Sequence, residues 1–136
     1  GRSCSSRSSV VVPRRAVVVD VDDYFLDLEK RWQGFKAMLS SADPGTILFR
    51  HVPSPLSHFD GAKKSEADAF FDVLKALAEK NARRVKKEIR KLTLRWHPDK
   101  FTKRYKAALH PTDRKLIEKS AHSFLISLRE FKASLN

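Results

Sequence analysis

Val85-Lys86-Lys87-Glu88-Ile89-Arg90-Lys91-Leu92-Thr93-Leu94-Arg95-Trp96-His97-Pro98-Asp99-Lys100 is the stretch that decides the fold. Val85, Ile89, Leu92 and Trp96 stand at i, i+4, i+7 and i+11, which makes one apolar stripe on a helix from about 82 to 96. Lys86, Lys87, Arg90, Lys91 and Arg95 occupy the rest of its circumference. Pro98 has no amide hydrogen and clashes with a continuing helix, so the chain must turn at His97-Pro98-Asp99.

Working outward, each apolar stripe calls for a partner. Upstream, Phe70, Phe71, Val73, Leu74 and Leu77 mark a second helix, with Ser65 and Asp68 as its capping signal. Downstream, Ile117, Ala121, Phe124, Leu128, Phe131 and Leu135 mark a last helix opening near Pro111-Thr112-Asp113, where Thr112 can cap and Asp113 suits the positive end of the helix dipole. Val21, Phe25, Leu28, Trp32, Phe35 and Leu39 mark a first helix at about 21 to 40, with Asp20 or Asp22 as cap. Asp43-Pro44-Gly45 ends it in a turn, Thr46 to Phe49 reads as a short extended piece, and Val52-Pro53-Ser54-Pro55 cannot be helical. The fold is therefore all-α, with the first helix packed on the rest through Trp32 and Phe35. The expected organisation is a basic Ser/Arg-rich tail at 1–19, a helix and Pro-containing linker at 20–64, and a helical domain at 65–136.

Composition narrows the function. The 136 residues carry a formal charge of +12, and the segment from Lys80 to Lys106 holds twelve Lys and Arg against Glu88 and Asp99. A field of this size attracts acidic protein surfaces, nucleic acid or anionic lipid without choosing among them. Cys4 is the only cysteine, which leaves no internal disulfide and no cysteine-based zinc cluster. The histidines at 51, 58, 97, 110 and 122 have no ligand spacing, so neither a metal nor another cofactor is expected. No apolar run reaches the roughly 20 residues that span a bilayer. His97 and Asp99 do not make a catalytic dyad, since no Gly-framed nucleophile or oxyanion device accompanies them, and the chain is not expected to be an enzyme.

The tail, GRSCSSRSSVVVPRRAVVV, has no acid before Asp20. Its composition resembles an organellar transit peptide, and a plain basic arm is the alternative. Having little means of folding alone, it is expected to make few contacts with its own domain and to lie extended on another subunit.

The basic amphipathic helix, the aromatic before His97-Pro98-Asp99, and Phe70-Phe71-Asp72-Val73-Leu74 upstream together resemble the J-domain, the Hsp70-stimulating module of DnaJ-type co-chaperones. With Trp96 to Phe101, the Trp32 to Phe35 spacing and the Ile47 to Pro55 segment added, the chain is similar to the C-terminal region of the NF-kappa-B inhibitor-like protein 1 family over most of residues 24 to 135. Ser54 stands where that family usually has Trp, and the ankyrin repeats of its animal members are absent from these residues. The resemblance implies a nuclear setting and roles in restraining NF-kappa-B signalling and in pre-mRNA splicing. The J-domain likeness implies a site formed by His97, Pro98, Asp99, Lys86, Lys87, Arg90, Lys91 and Arg95 facing an acidic protein, with Hsp70 as the family's own partner. Against an Hsp70 role, Ile89 replaces a frequent Tyr, Phe101 replaces the usual polar residue, and the typical fourth helix is missing. The expected function is that of a non-enzymatic adaptor in a larger complex. A working co-chaperone and an RNA- or DNA-binding module, the latter adding Lys103, Arg104 and Lys106, are its rivals.

Overall fold

The computed structural model describes residues 9–12, 17–53, 56 and 64–135, with backbone alone at 17 and 64–66. Among the described residues the elements in order are β1 (Ser9–Val12), β2 (Val17–Asp20), α1 (Val21–Ser41), α2 (Lys64–Trp96), α3 (Phe101–Tyr105) and α4 (Pro111–Ser134). The chain is thus predominantly helical, as its stripes require, with one small sheet that those stripes do not announce.

α1 starts where Asp20 leaves the extended region and accepts a hydrogen bond from the Asp23 amide at 3.1 Å. Its stripe Val21, Phe25, Leu28, Phe35 and Leu39 is buried. Past its end, Gly45 takes φ 73°, which a Pro-Gly turn demands and a side chain would resist. The next residues are then tied to the segment before α4. The Gly45 amide donates to the Ala107 carbonyl (2.8 Å), the Ile47 amide to that of Ala108 (2.9 Å), and the His110 amide to that of Ile47 (2.8 Å). The Asp113 carboxylate adds a bond from the Phe49 amide, so the turn at Phe49–His51 is fastened to α4.

α2 is two helical arms in one. Asn81 departs from helical geometry at φ −153°, ψ 78°, and its side chain accepts from the Arg84 amide at 3.1 Å. It therefore caps the second arm, residues 82–96, where the expected helix begins. Ser65, the expected cap of the first arm, has its side chain outside the described residues, as do Ser54 and Pro55 of the linker. At α4 the cap is His110, whose Nδ1 accepts from the Thr112 amide at 3.1 Å, and not Thr112. Pro111 at the first helical position explains the shift, because its fixed φ seats the helix two residues earlier.

One core joins all of this. Val85, Ile89, Leu92 and Trp96 are buried together with Phe70, Leu74, Phe124 and Leu128 from the first arm and α4. An aromatic cluster closes the other side, where Trp32 and Phe35 of α1 meet Trp96 and Phe101 with ring centroids 5.2 to 6.5 Å apart.

The expectation of an extended tail resting on another subunit is overturned for residues 9–12 and 17–20. β1 and β2 pair antiparallel, Val10 opposite Val19 and Val11 opposite Val18, and β1 lies against α2. Val10 and Val12 are buried, and Lys80 of α2 donates to the Ser9 carbonyl at 2.7 Å. A strand pair that gives one valine face to a helical core has the apolar partner a lone tail lacks. Residues 1–8 and 13–16, including Cys4, lie outside the described residues.

Candidate functional site

α2 ends at Trp96, the turn occupies residues 97–100, and α3 begins at Phe101. The turn is fixed from both sides. The Lys100 and Phe101 amides donate to the His97 carbonyl at 2.9 and 2.7 Å, and the Lys103 amide donates to the Pro98 carbonyl at 3.1 Å. Beneath it Trp96 and Phe101 pack at 4.9 Å, each only 1% exposed. Phe101 is hydrophobic here because it is the anchor of the corner.

The three motif residues themselves face solvent. The Asp99 amide donates to His97 Nδ1 at 3.2 Å, which draws the imidazole over the turn. The same nitrogen stands 4.0 Å from the Asp99 carboxylate. That carboxylate is 89% exposed. His51 and His110 use Nδ1 in the same way towards the Leu48 and Thr112 amides, so three of the five histidines brace turns.

The basic residues of the second arm do not form one face. Arg83, Lys87, Arg90, Lys91 and Leu94 are exposed and recur at helical spacing, which makes a solvent stripe opposite the buried one. Lys86 is half-buried, and Lys91 reaches Glu88 at 3.6 Å. Arg95 turns the other way. Its guanidinium meets Glu29 of α1 at 2.6 Å and lies 4.9 Å above the Trp32 ring, with its side chain 12% exposed. Arg95 braces α1 against α2 and is not offered to a partner. The reason is its position one residue before Trp96, on the flank that α1 covers. Arg84 repeats the arrangement about three turns earlier on the same flank, pairing with Asp22 at 2.6 Å.

Partial burial alone would raise the Glu29 carboxyl, but hydrogen bonds from Gln33 and Arg95 and the charges of Arg95 and Lys91 outweigh it and hold it below the usual carboxylate range. A depressed value stabilises the fold above the unfolded pKa and loses that contribution as pH falls through the folded one. Glu29→Gln is therefore expected to lower stability at pH 7 by about 1 kcal/mol or less, since the carboxylate is a third exposed. Urea melts at pH 7 and at roughly pH 3 check this, with the gap closing at the lower pH.

On the other flank the second arm and α4 leave a groove of about 580 Å³ that reaches the corner at His97, Pro98 and Asp99. The sequence gives no direct sign of it, because Leu125 and Ile126 extend the α4 stripe sideways and Leu94 interrupts a basic face, and each looks ordinary alone. Among the described residues there is no cluster of three or more metal-binding side chains, and no helix is long and apolar enough to cross a membrane.

A family model described as the NF-kappa-B inhibitor-like protein 1 C-terminal domain matches residues 68–123. That span runs from the first arm through the corner into α4, less than half of the 136 residues, and it bears out the family resemblance there. Neither the search of curated proteins nor that of solved structures found a match.

Proposed function

We propose that the chain is a non-enzymatic adaptor that docks a protein partner in a larger assembly through a J-like corner. The observation that carries this reading is the exposed His97-Pro98-Asp99 turn, held rigid by buried Trp96 and Phe101 at the end of a basic solvent stripe. Stiffness lowers the entropic cost of presenting Asp99, and Arg83, Lys87, Arg90 and Lys91 draw an acidic surface towards it. The order of first arm, second arm, corner and α4 follows the order of helices in J-domains, which supports the likeness. Arg95 is left out of the docking set because α1 occupies it.

The test has two arms. Reversing Lys87 and Lys91 to Glu should release the chain from the partner it captures in native extract, while helical circular dichroism stays unchanged. In single-turnover ATP hydrolysis by an Hsp70 of the same compartment, neither the wild type nor Asp99→Asn should stimulate, because Ile89 and Phe101 face the core. Stimulation by the wild type that Asp99→Asn abolishes would replace the adaptor by a co-chaperone. The variant remains folded in either case, as the Asp99 side chain is 89% exposed.

A further inference from the structure

The groove beside the corner is built for a particular kind of ligand. It is lined from Ile89 to Leu94 on α2, by the turn at His97, Pro98 and Asp99, and from His122 to Lys132 on α4. The α4 wall, ten helical rises from His122 to Lys132, makes it roughly 15 Å long, the length of about three helical turns. Its apolar lining includes Leu94, Leu125 and Ile126, and Leu94 stays 52% exposed in the middle of the basic stripe. A large apolar side chain left in water among cations gains by being covered. Its charged lining is Arg90, Arg129 and Lys132 against Asp99 alone. Among the described residues no Phe, Tyr or Trp lines it, so it offers no stacking platform for bases.

We infer that this groove receives an acidic amphipathic helix of a partner protein, about ten residues long. Leucine-like side chains at i, i+3 or i+4, and i+7 would rest on Leu94, Leu125 and Ile126. Flanking carboxylates would meet Arg90 on one wall and Arg129 and Lys132 on the other. The inference rests on the adaptor reading and specifies what the adaptor holds.

The probe is a fluorescein-labelled helical peptide with Leu at those positions and Glu on both flanks, titrated with the full chain and followed by anisotropy. Saturable binding is expected, weakened roughly tenfold or more by Leu94→Glu, which replaces an apolar contact by a like charge. Leu94 is exposed, so this variant should keep its helical circular dichroism; Arg129→Glu is the second variant and should weaken binding too. A peptide with Lys in place of Glu should not bind. Equal affinity of wild type and Leu94→Glu, or equal binding of the Lys peptide, would overturn the inference. Displacement of the peptide by a short single-stranded RNA that is itself sensitive to Leu94→Glu would also overturn it, making the groove a nucleic-acid site. If reversal of Lys87 and Lys91 releases the extract partner while no peptide binds, the groove inference fails and the adaptor reading stands. If the peptide binds through Leu94 but that reversal leaves capture intact, the groove stands and the charge-steered docking fails.

Discussion

Replacing Trp96 by Ala should destabilise the chain by ~3–5 kcal/mol and lower its melting temperature by roughly 10–20 °C. Trp96 is 1% exposed and contacts rings from two other elements, Trp32 and Phe35 of α1 and Phe101 of α3. Removing the indole empties a space that three helices share, and the neighbouring rings are too rigid to collapse into it. Trp96→Phe should cost less than half as much. It retains an aromatic ring, and the indole Nε1 that it deletes is buried without a hydrogen-bond partner, so no polar interaction goes with it. Urea melts of the two variants check the ratio. A near-neutral Trp96→Ala would mean that α1 does not pack on the corner as described. The same substitution should loosen the turn, because Trp96 and Phe101 stand on either side of the bonds that the Lys100 and Phe101 amides make to the His97 carbonyl.

The helices were legible because a stripe at helical spacing has one physical meaning in a short chain: it must be covered by another stripe. Val85, Ile89, Leu92 and Trp96 illustrate it, and so does the arrival of Trp32 and Phe35 over Trp96. The break at Asn81 is not written in the spacing, because Leu74 and Val85 stand eleven residues apart, about three helical turns, and the stripe crosses Asn81 in phase. What spacing does not encode is which flank of a helix a neighbour will cover. Arg95 and Arg90 look equivalent in sequence, yet α1 lies along one flank only, and Arg95 is drawn onto Glu29 and Trp32 while Arg90 stays exposed beside α4. Caps show the same limit. Thr112 is the better capping residue by type, but the fixed geometry of Pro111 moves that role to His110.

The hairpin was illegible for a different reason, and it leads to the second large effect. A half-buried strand announces itself by alternation of apolar and polar residues. Val10-Val11-Val12 and Val17-Val18-Val19 put valine on both faces, so no alternation exists to be read. The structure supplies it. Val10 and Val12 are 1% and 2% exposed, whereas Val11 and its cross-strand neighbour Val18 are 57% and 68% exposed. Val10→Asp should therefore cost ~3–4 kcal/mol, the penalty of an unpaired carboxylate placed in the core against α2. Val11→Asp, one residue away, should stay within about 0.5 kcal/mol of the wild type. Thermal melts of the pair, with amide exchange at residues 9–12 and 17–20, distinguish a docked hairpin from a free arm. In a free arm both substitutions would be equally silent. In a hairpin of slipped register the order would invert, because a shift of one residue sends every side chain to the opposite face. Loss of protection in both strands, confined to Val10→Asp, is the expected result, since the strand that leaves α2 takes its partner with it.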